Sequence, residues 1–287
     1  MDRNKRLKLG IDKGRYFCKA IKNYILHRQE KTCPFCDSAE ISELMNKFFF
    51  IKLFRCNNCS LMFRYPKDEA YNRYYRDSCY YDEPKIPPTL PTAPELTQLK
   101  SQNFKDSIYD ISDKITLIKK YIKEGNVLSY GTSWGYELRQ FINEGFSGLG
   151  YEVDIKRAKF GEENLGLKII HASQELDCFQ SNFNIVFVNH VLEHVEDIRN
   201  EFNRIYKLLK DAGHLFIFVP NCSDIDKEPW RKIYAFGQRH CIAFDKRFFY
   251  KNLSSLGFNI IEVKECMWDK YELMVIAKKE KTTGILI

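Results

Sequence analysis

The sequence predicts an α/β fold, a doubly wound sheet preceded by a small cysteine-bearing module. Three observations lead there. From about residue 110 short apolar runs alternate with helical stretches, the pattern of strands joined by crossover helices. Two C-x2-C motifs stand upstream of that region. The 287 residues suffice for one ordinary domain and a module. With 44% hydrophobic and 15% aromatic residues, the chain is too apolar to remain disordered. No uncharged apolar run approaches the roughly 18 to 20 residues of a membrane span. Lys19, Lys22 and Arg28 interrupt any N-terminal secretory core, so the expectation is an unexported, cytoplasmic protein whose ten cysteines stay reduced.

Residues 1–30 come first. Between residues 3 and 28, Lys and Arg mix with Leu9, Ile11, Phe17, Ile21, Tyr24 and Ile25, partly at helical spacing, which predicts a basic amphipathic helix. Residues 31–66 follow, with Cys33-Pro-Phe-Cys36 and Cys56-Asn-Asn-Cys59 separated by 19 residues. That spacing fits a four-cysteine zinc site, because two intervening residues let a tight turn aim both sulfurs at one ion. Phe48 to Phe54 reads as the strand that delivers the second knuckle, so the segment is expected to be a zinc ribbon. The other six cysteines show no ligand spacing, and most read as small core residues. Through Pro66 there are 14 Lys/Arg against 6 Asp/Glu, so this part carries +8 of the formal +7 and the remainder carries −1. Four thiolates around Zn²⁺ leave about −2, which offsets part of that excess.

Residues 67–109 form a bridge and linker. Tyr71, Tyr74, Tyr75, Tyr80 and Tyr81 could line a substrate entrance or pack the ribbon on the main domain, and Pro87-Pro88-Thr89-Leu90-Pro91 reads as an extended connector. Residues 110–287 carry the sheet. Asn126 to Tyr130 reads as the first strand, Gly131-Thr132-Ser133-Trp134-Gly135 as a tight loop, and Tyr136 to Asn143 as the helix it opens. Small residues at such a turn admit a nucleotide-like ligand. Gly148 to Glu152 reads as the second strand, ending in an acid 21 residues after Gly131, where dinucleotide-type folds hold ribose hydroxyls. Asn184 to Asn189 is a buried strand, His190-Val-Leu-Glu193-His194-Val follows it, a helix runs from about Glu196 to Leu209, and His214 to Pro220 is a strand after a Gly213 stop. Phe258 to Lys264 and Tyr271 to Ala277 alternate as a closing antiparallel hairpin.

The order Val127-Leu-Ser-Tyr-Gly-Thr-Ser-Trp-Gly135, Gly-Tyr-Glu152, His190-Val-Leu-Glu-His194 and Leu208 to Pro220 resembles class I S-adenosylmethionine-dependent methyltransferases over about residues 110 to 280. It resembles most the branch with an N-terminal zinc ribbon, a tyrosine-rich bridge and an H-x-L-E-H helix start, often acting on sugars and other small metabolites, so the resemblance implies that His190 to His194 start a helix. The resemblance implies a Rossmann-like, seven-stranded sheet and S-adenosylmethionine as cofactor. Gly131, Thr132, Ser133, Trp134 and Gly135 would surround its methionine part and ribose, and Glu152 would hold the ribose hydroxyls. Ala172 and Ser173 would flank adenine, and Asn189 and His190 would lie under the sulfonium. Such enzymes usually carry an acid where Ser129 stands, a middle glycine where Ser133 stands, and an acid at the adenine side, here Ala172.

Methyl transfer needs an aligned nucleophile and often a base, for which Glu193, His194 and His240 are the candidates. Trp230 and Tyr234 could wall the acceptor pocket or fill the core. The expected acceptor is a small molecule, a sugar, nucleotide-linked sugar or glycan precursor. RNA held by the basic ribbon, or a non-catalytic adaptor, are the alternatives. A nicotinamide cofactor expects G-x-G-x-x-G, which Gly131 to Tyr136 does not supply. The H-x-x-E-H match of inverzincin proteases begins at a strand end, so its histidines need not share a helical face.

Overall fold

The structure is a computed structural model that describes residues 18, 31–47, 51–65, 89–225, 227 and 240–280. The basic helix expected over 1–30, Phe48 to Phe50, the tyrosine run from Tyr71 to Tyr81, Pro87, Pro88, Trp230 and Tyr234 lie outside the described residues.

In the cysteine module β1 (Ile41–Lys47), β2 (Ile51–Cys56) and β3 (Met62–Tyr65) form an antiparallel meander. Two helices follow, α1 (Ala93–Ser101) and α2 (Ser112–Ile118). Thr92 and Glu95 form a capping box at the start of α1, which satisfies N–H groups that the first helical turn leaves unpaired.

The main sheet is built from β4 (Asn126–Tyr130), α3 (Tyr136–Asn143), β5 (Ser147–Tyr151), α4 (Ile155–Leu165), β6 (Ile169–Ile170), α5 (Ser173–Leu176), β7 (Phe183–Asn189), α6 (Ile198–Leu208) and β8 (Leu209–Pro220). After β9 (Ile242–Ala243) and α7 (Lys246–Asn252), β10 (Phe258–Glu265) and β11 (Glu272–Lys279) close it. The strand order is β10-β11-β8-β7-β4-β5-β6. β4 to β8 are parallel, whereas β11 runs antiparallel to both of its neighbours.

Side-chain alternation explains why both faces are covered. In β7, Val186 and Val188 enter one apolar core while Ile185 and Phe187 enter the other. β8 repeats the division, with Leu215, Ile217 and Val219 on the first side and Phe216 and Phe218 on the second. α6 meets the first core with Ile198, Phe202, Ile205 and Leu208, one helical stripe, and the Asp197 carboxylate caps it by accepting the Asn200 N–H at 3.3 Å.

The first core does not stop at the main sheet. It includes Phe35, Phe54, Leu61 and Phe63 of the cysteine module together with Phe244, Phe248 and Phe249. β9 pairs with β3, Met62 opposite Ala243 and Phe63 opposite Ile242, so the small sheet runs β1-β2-β3-β9. Asn252 donates to the Cys59 carbonyl at 2.9 Å, and Lys251 to that of Asn58 at 3.0 Å.

Two expectations about elements need correction. His190 to His194 does not start a helix. His190 takes a left-handed conformation (φ 54°), Leu192 to His194 make one 3-10 turn, and α6 begins only at Ile198. Gly213 is not a helix stop, because β8 already begins at Leu209 and its pairing with β7 is irregular between Phe183 and Ile185.

Candidate functional site

Parallel strands end at one edge of the sheet, and the loops leaving them meet there. The loop after β4 turns through Gly131 (φ 76°), Ser133 (φ 54°) and Gly135 (φ 86°). Gly131 has no room for a side chain, since a Cβ would lie 2.3 Å from Val191 Cγ2. Ser133 keeps a left-handed backbone, which is where a glycine would sit without strain.

Four N–H groups of this loop are spent inside the protein. Gly131 and Thr132 donate to the Tyr151 carbonyl at 2.8 and 2.9 Å, Gly135 donates to that of Thr132 at 2.9 Å, and Ser133 donates to Glu152 Oε2 at 2.9 Å. A pyrophosphate needs free donors at such a turn, so the loop suits a ligand without phosphates. Thr132 Oγ1 and Ser133 Oγ are buried with no hydrogen-bond partner in the protein, places where a polar ligand satisfies the loop. Glu152, one residue past β5, is buried, and its Oε1 accepts the Asp154 N–H at 2.9 Å. Burial lifts its carboxyl above the ordinary range against the hydrogen bonds that lower it. Ala172 and Ser173 lie one strand over, at the start of α5 after β6. The Trp134 side chain is fully buried among Phe104, Tyr109, Tyr136 and Phe160, so the loop offers its backbone at this position.

A carboxylate of the next helix reaches Ser129. Ser129 Oγ donates to Glu137 Oε2 at 3.1 Å, and Glu137 Oε1 accepts from Asn189 Nδ2 at 2.7 Å and from the Tyr136 hydroxyl at 3.3 Å. Burial raises the Glu137 carboxyl, and these donors oppose the shift.

From Asn189 a charged chain continues through Lys114, Glu272 and His190 to Glu193. Lys114 Nζ donates to Asn189 Oδ1 at 2.6 Å and to Glu272 Oε1 at 2.5 Å. His190 Nε2 lies 2.8 Å from the same Glu272 oxygen, and its Nδ1 lies 3.2 Å from Glu193 Oε1. Trp268 donates to Glu272 Oε2 at 2.9 Å. Burial opposes the charge on His190, though 45% of the side chain stays open to solvent, and hydrogen bonds to Glu193 and Glu272 outweigh it and hold the imidazole up to about 9. Glu193 is held down to about 2, because its bond to His190 and the charges of neighbouring histidines overcome a burial that would raise it. Glu272 is also lowered, by His190 and Lys114, against its own burial. Lys114, His190, Glu193 and Glu272 thus form a charge-balanced network.

His194 and His240 stand beside Glu193, with ring centroids 4.9 Å apart. The Cys241 N–H donates to the Glu193 carbonyl at 3.0 Å, which sets His240 against the 3-10 turn. The structure therefore brings Glu193, His194 and His240 together, but His190 is not part of that group. Its ring nitrogens face the two carboxylates, so the H-x-x-E-H protease arrangement is absent.

In the cysteine module the four sulfurs of Cys33, Cys36, Cys56 and Cys59 lie within 4.8 Å of one another, with Cys33 and Cys59 at 3.5 Å and Cys36 and Cys56 at 3.4 Å. Zn–S bonds of about 2.3 Å in a tetrahedron put sulfurs about 3.8 Å apart, so the donor set fits such an ion. Cys222, Cys241 and Cys266 are buried as core residues, whereas Cys178 is exposed.

Sequence reasoning missed Lys114, Glu137 and Glu272. Glu137 stands in the first turn of the helix after the loop and could have been found there, while Lys114 and Glu272 are 158 residues apart and carry no local signal.

A doubly wound sheet with a glycine-bearing loop after its first strand and an acid after its second defines a class of proteins that bind nucleoside-containing cofactors. Residues 102–263 match a family described as "Methyltransferase domain", more than half of the chain, and the protein belongs to that family of S-adenosylmethionine-dependent enzymes. No curated protein sequence matches the chain. Among solved structures it is similar to a SAM-dependent methyltransferase from Archaeoglobus fulgidus, at 17% identity and a TM-score of 0.51, over 64% of this chain and 99% of the other. A Pyrococcus horikoshii protein shares 14% identity at a TM-score of 0.51, over 72% and 99%. A complex between the Haloferax volcanii Trm112 methyltransferase activator and a methyltransferase contains a similar chain, at 12% identity and a TM-score of 0.50, over 66% and 94%. At these identities the likeness is one of fold.

Proposed function

We propose that this methyltransferase acts on a small polar acceptor, a sugar, nucleotide-linked sugar or glycan precursor, at an oxygen, nitrogen or carbon atom. Cys33, Cys36, Cys56 and Cys59 hold a structural Zn²⁺ in this reading. Bound S-adenosylmethionine supplies an electrophilic methyl group and a neutral leaving group. The chain's part is to place it. Glu152 would take the ribose hydroxyls, Gly131 to Gly135 would hold the ribose and methionine part, Ala172 and Ser173 would flank adenine, and Asn189 and His190 would lie on the sulfonium side. Glu193, His194 and His240 face the acceptor.

The observation that carries the acceptor class is the charge of the docked ribbon. Residues 31–65 hold Lys31, Lys47, Lys52, Arg55 and Arg64 against Asp37, Glu40 and Glu43. Four thiolates around Zn²⁺ add about −2, so the module is near neutral. Arg64 is buried and Arg55 partly so. A surface that tracks RNA phosphates needs clustered, exposed cations, and the basic excess lies instead in residues 1–30.

The test is incubation of the protein with methyl-labelled S-adenosylmethionine and fractionated cell extract, with and without nuclease. Label is expected in a low-mass, nuclease-resistant product. Label that disappears after nuclease would move the acceptor to RNA.

A further inference from the structure

We propose that Glu193, His194 and His240 form a second metal site, separate from the four cysteines, which holds a divalent first-row ion and takes acceptor oxygens in its open coordination positions. The three side chains offer one carboxylate oxygen and two imidazole nitrogens, and these atoms lie within 4.8 Å of one another. Ligands on one ion with bonds of about 2.1 Å sit about 3 Å apart, so a closure of no more than about 2 Å completes the set.

An independent observation points to a ligand there. Glu193 is 1% exposed, its Oε1 pairs with His190, and its Oε2 is buried without any hydrogen-bond partner in the protein. A buried carboxylate oxygen left unpaired is costly, and a cation satisfies it. His194 and His240 are only partly buried.

Backbone geometry holds the donors in place. Glu193 and His194 share the 3-10 turn after β7, and His240 comes from the segment leading into β9. The bond from the Cys241 N–H to the Glu193 carbonyl joins the two segments, and β9 is fixed in turn by its pairing with β3. The ribbon thus positions one ligand of this site.

Two imidazoles and one carboxylate favour Mn²⁺, Fe²⁺, Co²⁺ or Zn²⁺ over Ca²⁺ or Mg²⁺, and three protein ligands leave room for two or three oxygens. Hydroxyl oxygens of the acceptor fill that room, an assignment that rests on the small-acceptor reading above. Ligation also uses the nitrogen lone pairs of His194 and His240, so in this arrangement neither serves as the general base for which the sequence made them candidates.

The test is calorimetric titration of the zinc-loaded protein with Mn²⁺ and with Zn²⁺, alongside Mn²⁺ paramagnetic resonance, which thiolate sites barely perturb. One ion per chain beyond the cysteine-bound zinc is expected. His194→Gln and His240→Gln should each weaken it at least about tenfold while the cysteine zinc and the folded-state spectrum stay unchanged. Both histidines are partly exposed, so these variants avoid the buried Glu193. No binding of either ion, or binding that neither substitution weakens, overturns the site. S-adenosylhomocysteine titrated into the same samples separates the failures, because cofactor binding without the second ion removes the site and leaves the methyltransferase assignment standing. Nuclease-sensitive labelling together with a bound second ion would remove the small acceptor and leave the site.

Discussion

Ser129 stands where the family resemblance calls for an acid, and it donates to the carboxylate of Glu137, eight residues on. The bond has measurable consequences. Ser129→Ala removes one of three donors to that carboxylate and is expected to cost about 1 kcal/mol. Glu137→Ala leaves the Asn189 amide and the Tyr136 hydroxyl without their acceptor, opens a cavity, and is expected to cost about 3 kcal/mol or more. Urea denaturation of the two variants checks the order, and equal losses would contradict it. Residue-level legibility followed chemistry with a local spacing. Glu152 was readable because an acid ends a strand a fixed distance after a glycine loop, and the cysteines because their spacing repeats. Lys114 and Glu272 were not, since only the topology that inserts β11 beside β8 brings them together.

Element boundaries were most legible where propensity and packing agree. The strand at Asn126–Tyr130 and the helix at Tyr136–Asn143 stand where the sequence puts them. The resemblance puts a helix start at H-x-L-E-H, whereas the sharp exit from β7 leaves His190 left-handed and Val195 extended, and the helix begins near the Glu196 that the residues themselves indicate. β9 left no sequence signal, since two residues show no period and their pairing is set by tertiary contact. The close packing of the β4 loop against the β7 exit also makes a prediction. Gly131→Ala combines an unfavourable φ with a Cβ driven into Val191, so it is expected to cost about 2 kcal/mol or more. Thermal denaturation measures it, and an unchanged midpoint would show that this contact is not tight.

At the scale of the whole molecule, the ribbon and the catalytic domain share a core, which the charge and cysteine pattern did not reveal. The sequence placed them as consecutive modules because their contacts, Phe35 with Phe248 at a centroid distance of 5.1 Å among them, join segments more than two hundred residues apart. Stability should be shared too. With Zn²⁺ on the four cysteines as proposed, stripping it is expected to cost at least about 5 kcal/mol and to lower a single cooperative transition by about 10 °C or more. Two separate calorimetric transitions, with only the smaller one sensitive to chelator, would contradict a common core. The charge-balanced network of Lys114, His190, Glu193 and Glu272 completes this picture, since it ties α2 and β11 to the exit of β7. The central claim is that the loop after β4 binds S-adenosylmethionine together with Glu152, and calorimetry with S-adenosylhomocysteine tests it most directly. The account predicts saturable heat at one ligand per chain that is lost in Glu152→Ala. No heat with the unsubstituted protein, or undiminished binding in the variant, would contradict it.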